Sequence, residues 1–201
     1  GRFMKTNAGQ NLLQQRKFLP DILDDHAPLK ALPLGTVGRT YVDFMEREGL
    51  TAKGLVEESL AHRQKHEPFD DDLLWYINRL RDTHDMYHVL TGYGRDALGE
   101  ASLLGFTHSQ HGGAGISFIA FIGSRQIAKE APKDAQVKAV IAEGRRNGKA
   151  AKRIIEQDII SLLDQPIDEV RARLNIAKPV LYRQALKVFQ SYGQDPQLVA
   201  A

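Results

Sequence analysis

The residues best suited to chemistry lie in Thr83-His84-Asp85-Met86-Tyr87-His88, with Glu100 following after eleven intervening residues. Imidazole nitrogens and carboxylate oxygens are the donors that divalent cations of borderline softness accept. At about 100° per residue, His84, Asp85 and His88 fall within an arc of roughly 100° if the segment is helical. Two histidines four apart on one helix face also hold zinc in the His-Glu-x-x-His proteases. His84, Asp85, His88 and Glu100 therefore read as a metal site through which any catalysis would run. Zinc suits it, as do iron(II), manganese and cobalt, and softness cannot choose among them because the chain has no cysteine. The plainer reading makes the histidines core residues bonded to backbone carbonyls. Against it, an acid buried beside two imidazoles is costly to desolvate unless positive charge sits nearby.

The elements that must position this set follow from periodicity. Leu73, Ile77 and Leu80 recur at steps of four and three, and the same steps land on His84 and then His88. The spacing predicts one helix, opened by Asp70-Asp71-Asp72, whose apolar inward face carries both imidazoles. Gly92 and Gly94 then stop it, and Asp96 is placed to cap a new helix from Ala97 through Leu103 and Leu104. That hinge would fold Glu100 back toward the histidines.

Around this unit the chain reads as helices throughout. Residues 1–20 are polar and read as a weakly ordered arm with a short helix, and Pro20, Pro28 and Pro33 keep the next helices short. Val37, Tyr41, Phe44 and Met45 predict a helix from Thr36 to Gly49, and Thr51 is placed to cap another over 52–65. Gly112-Gly113-Ala114-Gly115 reads as a helix–helix turn rather than a phosphate cradle, since no Lys-Ser/Thr follows it. His108 and His111 beside it read as an exposed turn, with a further metal ligand as the alternative. The apolar run 116–122 is core or the wall of a pocket for an apolar ligand, with Phe118 and Phe121 as lipid-contacting candidates. Pro132 should begin a helix through Val137 and Ile141. Arg145, Arg146, Lys149, Lys152 and Arg153 follow, with Asn147-Gly148 as a possible kink. This cluster is a solvated face or a surface for anionic lipid or an anionic substrate, with Arg145 and Lys149 as the candidates. The isoleucines and leucines of 154–163 are broad enough to be buried on several sides or shared with a partner chain. Pro166 and Pro179 each introduce a further helix, the last ending at Gly193. No alternating strand and no repeat is found. The fold predicted is all-α, a helical bundle with the metal site between one helix and the helix after the glycine hinge. The arm and short helices of 1–32 precede a domain spanning 33–201.

Composition narrows the classes. The 201 residues suffice for a sizeable core, and 42% hydrophobic with 26% charged residues is ordinary for a globular chain. A formal net charge of +2 argues against nucleic acid as a partner. The absence of cysteine excludes disulfides and thiolate sites. No run reaches the roughly 18 apolar residues of a membrane span, and none reads as a signal or transit peptide. The chain opens on Gly1, which leaves room for an upstream segment.

Several stretches resemble the ubiquinone biosynthesis protein four (Coq-four) family, in the flavour of its bacterial members. They are Pro33-Leu34-Gly35-Thr36-Val37-Gly38-Arg39-Thr40-Tyr41, then Arg81 through Asp96, then Leu98-Gly99-Glu100, and Arg146-Asn147-Gly148 through Ile176. The resemblance covers about residues 33–183, and His-Asp-x-x-His, eleven, Glu is its specific signature. It implies an all-helical protein, peripheral to a membrane, with His84, Asp85, His88 and Glu100 as metal ligands and a polyprenylated lipid as ligand. It also implies oxidative decarboxylation at ring carbon one of a polyprenyl hydroxybenzoate, a hydroxyl replacing the carboxylate, and organisation of other ubiquinone-making proteins. The implied place is the cytoplasmic side of a bacterial inner membrane, or the matrix side of the mitochondrial inner membrane, with a homodimer as the assembly. Ile159-Ile160 stand where many relatives carry Trp-Glu, which leaves open a paralogue acting on another quinone or isoprenoid. The rival reading is a non-catalytic prenyl-lipid-binding scaffold with a structural metal. A hydrolase using metal-bound water is weaker, because no general base remains once Asp85 and Glu100 are ligands.

Overall fold

The computed structural model describes residues 2–54, 56, 71–112, 127 and 129–196. Among these no strand occurs, and one isolated bridge joins Thr36 to Pro166. The helices are α1 (Asn7–Gln15), α2 (Leu19–Leu23), α3 (His26–Lys30), α4 (Val37–Glu48), α5 (Asp71–Asp82), α6 (His84–Thr91), α7 (Ala97–His111), α8 (Val137–Ala150), α9 (Ile167–Leu174) and α10 (Val180–Ser191). The predicted all-α class is the observed one. The chain divides into two compact units, Gly1–Val89 with Arg153–Val170, and Leu90–Lys152 with Arg171–Ala201. No helix among the described residues is long and apolar enough to cross a membrane.

In the first unit, the segment read as a weakly ordered arm is held down. The Thr6 hydroxyl accepts the Gly9 N–H at 3.0 Å and donates to the Phe3 carbonyl at 2.9 Å, capping α1. Buried Phe3 lies against Tyr76, centroids 5.0 Å apart, and Trp75 at 6.1 Å. Helix α4 starts and stops where predicted, with Thr36 as N-cap and Gly49 at φ 66° closing the C-terminus. Its first turn is satisfied from a distant segment: Val37 N–H donates to Gln165 O at 2.9 Å and Gly38 N–H to Leu163 O at 2.7 Å. The stretch 154–163 is two 3₁₀ turns, Ile154–Glu156 and Ile160–Leu162, with Ile154, Ile155, Ile159 and Leu162 buried. Arg79 of α5, 5% exposed, ties that stretch in place through Nε to Ile155 O at 3.0 Å and Nη2 to Gln157 O at 2.6 Å. Thr51 accepts the Gly54 N–H at 3.0 Å as the predicted cap, and the rest of the helix expected over 52–65 lies outside the described residues.

The expected continuous helix from the acidic triplet to His88 is corrected. The helix is interrupted at Thr83, whose hydroxyl and N–H both donate to the Arg79 carbonyl, at 2.8 Å and 3.0 Å. The stripe of Leu73 and Ile77 is not inward either, these residues being 43% and 36% exposed while Arg79 turns in. Two long cation–backbone bonds fix the face that α5 buries, and periodicity alone does not reveal them.

In the second unit, α7 and α8 approach until backbone meets backbone. A Cβ on Gly144 would lie 2.4 Å from the Ser102 carbonyl oxygen, and one on Gly148 would lie 2.3 Å from that of Phe106. Asn147-Gly148 is therefore no kink; α8 runs unbroken and Gly148 is a contact point. The helix expected from Pro132 is a 3₁₀ turn, Lys133–Ala135, then Gln136 at φ 49°, before α8 begins. Buried Glu143 of α8 accepts the Leu181 N–H at 3.0 Å and 3.1 Å and the Tyr182 N–H at 3.4 Å, capping α10. Around these contacts Leu98, Leu103, Phe106, Val140 and Phe189 are buried.

Glycine-to-alanine exchange inside a helix ordinarily gains up to about 1 kcal/mol. At Gly148 the sign should invert, because overpacking costs about 1–3 kcal/mol. Urea unfolding of Gly148→Ala should show a lower midpoint at unchanged slope; a raised midpoint would contradict the helix contact.

Candidate metal centre

His84, Asp85 and His88 all belong to α6, a helix packed through Met86, Tyr87 and Leu90, each buried. His88 is 1% exposed and stacks on Phe44 of α4, ring centroids 5.7 Å apart at 19°. His84 is half-buried, its ring 4.8 Å from that of His88 and nearly perpendicular to it, at 70°. Asp85 is 3% exposed, with Oδ1 at 3.5 Å from His84 Nδ1. The prediction that all three donors share one helix holds, with Asp85 and His88 inward and His84 partly open. Buried Tyr41 of α4 feels this charge: burial first, and then Asp85, push its phenol above the usual tyrosine range.

The chain passes into the second unit within α6. There Arg171 donates from Nε to the Leu90 carbonyl at 2.9 Å, a cation at the C-terminal end of α6. Gly92 follows at φ 77°, the hinge foreseen. Asp96 caps α7 as predicted, Oδ1 accepting the Gly99 N–H at 3.0 Å. Its Oδ2 accepts a short hydrogen bond from the Tyr182 hydroxyl, which itself accepts the Gly94 N–H at 2.9 Å. A Cβ on Gly99 would lie 2.1 Å from the Gly94 carbonyl oxygen, so the turn closes on two glycines. Glu100 sits in the first turn of α7, half-buried, where the helix dipole favours a carboxylate, with Oε1 at 3.8 Å from Arg95 Nε.

Imidazole nitrogens with carboxylate oxygens are a donor set that fits a borderline divalent cation, and no thiolate competes for the role. Other candidates fare differently. Arg145, Arg146, Lys149 and Lys152 are exposed, whereas Arg153 is half-buried and paired with Glu156. His108 and His111 lie in the last turn of α7, not in an exposed turn, where histidine suits the helix dipole. Phe118 and Phe121 lie outside the described residues, as do Gly113 to Gly115. Tyr41, Tyr182 and Arg79 carry no local signal in the sequence, because each works through contacts far along the chain.

The family model for the coenzyme Q (ubiquinone) biosynthesis protein Coq4 matches residues 1–180, and the chain belongs to that family. A mitochondrial ubiquinone biosynthesis protein COQ4 of Ajellomyces capsulatus is 33% identical over 165 residues, 81% of this chain and 55% of that one. Its counterpart in Penicillium rubens is 29% identical over 185 residues, 90% of this chain and 61% of that one. The chain thus spans little more than half the length of these curated relatives. A crystal structure of a proposed ubiquinone biosynthesis protein from Nostoc punctiforme shares the fold, with a TM-score of 0.63 at 24% identity over 88% of this chain and 79% of that one.

The turn before Glu100 rests on phenols that resist ionisation. Burial first, then the charge of Asp96, raises the Tyr182 phenol; burial first, then Glu143, raises that of Tyr93. A folded-state value above the unfolded one of about 10 stabilises the fold below that pH and withdraws the stabilisation as pH rises beyond it. Stability should therefore fall above about pH 10, and phenolate absorbance at 295 nm should rise together with unfolding. In Tyr182→Phe the neutral-pH stability should drop by about 1–3 kcal/mol, since Asp96 Oδ2 and the Gly94 N–H lose their partner. Full phenolate formation in the still-folded wild type would contradict this.

Proposed function

We propose that His84, His88 and Glu100 hold one divalent cation, each giving one donor atom, and that the chain carries out an oxidative decarboxylation in ubiquinone biosynthesis. The substrate is a polyprenyl hydroxybenzoate: the bond from ring carbon one to the carboxylate breaks, CO2 leaves, and a C–O bond forms in its place. Overall the aromatic acid, water and dioxygen become the phenol, CO2 and hydrogen peroxide, so dioxygen takes up the two electrons that leave the substrate. When bound, the cation supplies Lewis acidity toward the carboxylate and a ring oxygen. The chain's residues orient and enclose. Helix α6 presents two imidazoles one turn apart, and buried Met86 and Phe44, the latter stacked on His88, keep water from behind them. Family membership and the paired histidines on a packed helix together carry this reading.

The prenyl tail would supply most of the binding, at about 25 cal/mol per Å² of apolar surface buried. Exposed Arg145 and Lys149 on α8 suit an anionic membrane surface, where such a lipid resides. In the second unit Lys and Arg outnumber Asp and Glu, and in the first the balance is reversed. Partners would be the membrane, a second copy of the chain and other ubiquinone-making proteins. The place would be the inner face of the bacterial or mitochondrial inner membrane.

The test is metal content and turnover in one experiment. His88→Ala should weaken cation binding by more than about 100-fold, and conversion of a prenyl hydroxybenzoate under oxygen should be lost with it. Turnover surviving in the metal-free variant would refute the role. A wild-type chain that retains lipid and metal but converts nothing would favour the scaffold.

A further inference from the structure

Arg95 stands between two residues that are held in place. The Gly94 N–H donates to the Tyr182 hydroxyl at 2.9 Å, and Asp96 caps α7 by accepting the Gly99 N–H at 3.0 Å. The Arg95 side chain is committed to much less. Among the described residues its ion pair is with Glu100, Nε to Oε1 at 3.8 Å, which is beyond hydrogen-bond length. Both side chains stay open to solvent, at 37% and 32% exposed. Arg79 and Arg171, by contrast, spend their donors on the carbonyls of Ile155, Gln157 and Leu90. The neighbouring Asp96 carboxylate is already taken up by Gly99 and Tyr182. A guanidinium stays charged and presents a planar fork of N–H donors that matches a carboxylate. Arg95 thus offers such a fork on a fixed mount, beside a proposed metal ligand.

We infer, resting on the metal reading above, that Arg95 binds the substrate, clamping the carboxylate of the incoming aromatic acid. Without a cation, Glu100 and Arg95 answer each other's charge across a weak contact. A cation that takes the Glu100 oxygen leaves the guanidinium charged and without its counterion, so the site then favours an anion. Cation and guanidinium have Glu100 as a common neighbour, and a carboxylate drawn to one arrives beside the other. Such a clamp selects an acid over a neutral ring of similar shape. It also separates substrate from product. Once CO2 has left, the phenol offers the fork no carboxylate, and release is favoured.

Calorimetry on the cobalt(II)-loaded protein, kept free of oxygen, tests this without any turnover. The probes are a short-chain prenyl hydroxybenzoate and the phenol that lacks only its carboxylate. The wild type should bind the acid more tightly than the phenol by about 10-fold or more. In Arg95→Gln the acid should lose about 10- to 100-fold in affinity while the phenol changes by less than about 2-fold. Arg95→Lys should recover part of the loss, because an ammonium keeps the charge without the fork. Cobalt(II) affinity should hold or rise in both variants, since Glu100 loses a charge that competes for it. Equal losses for acid and phenol, or undiminished acid binding in Arg95→Gln with cobalt(II) in place, would overturn the clamp and leave the metal reading standing. A fall in cobalt(II) affinity would make Arg95 a support for Glu100 and overturn the clamp too. Failure of the wild type to bind cobalt(II) would overturn the metal reading first and this one with it.

Discussion

A carboxylate removed almost wholly from water has to be answered by donated hydrogen bonds or by positive charge, since an uncompensated one costs several kcal/mol. Asp85 sets that requirement in the first unit. Helix α6 has eight residues, too few to stand alone in water, so its geometry is imposed by packing. Met86, Tyr87 and Leu90 anchor one side, Phe44 stacks on His88, and Tyr41 stands behind Asp85. Helix α4, which carries Phe44 and Tyr41, is itself held by the carbonyls of Leu163 and Gln165. Arg79, just before α6, binds the carbonyls of Ile155 and Gln157, 76 and 78 residues further on, and the Leu163 and Gln165 carbonyls of that same stretch accept from the start of α4.

The second unit answers a different problem, that of starting a helix where an acid is wanted. Asp96, Tyr182 and Gly94 form one hydrogen-bonded turn, and Gly99 packs so closely on Gly94 that no larger residue fits. Glu100 then falls in the first turn of α7, where the helix dipole favours its charge. Helix α10 supplies Tyr182, and α10 in turn begins on the buried carboxylate of Glu143. One buried acid per helix start is an economical device: the N–H groups left over at the terminus satisfy a charge that would otherwise be costly.

Local signals in the sequence reveal the parts of this arrangement that are themselves local. Thr36, Gly49, Asp96 and Gly92 mark helix ends by capping chemistry that acts within a few residues, and each falls where its residue type indicates. The three donors of α6 share a helix because their spacing matches its turn. What periodicity misses depends on distant partners. The Leu73–Ile77 stripe looks buried by spacing, yet Arg79 wins the inward position because two carbonyls 76 and 78 residues away accept from it. Gly148 looks like a kink, yet its missing side chain is what admits Phe106. The isoleucine-rich stretch 154–163 looks buried from its composition and is, but its form, two short turns, is held through its backbone by Arg79 and the start of α4.

The central claim is that His84, His88 and Glu100 grip a single cation. Crystals grown with cobalt(II) and measured across its absorption edge test it most directly. One strong anomalous peak is expected, with a nitrogen of each of His84 and His88 and an oxygen of Glu100 about 2.0–2.2 Å from it. No peak at these residues, or a peak that omits Glu100, would contradict it.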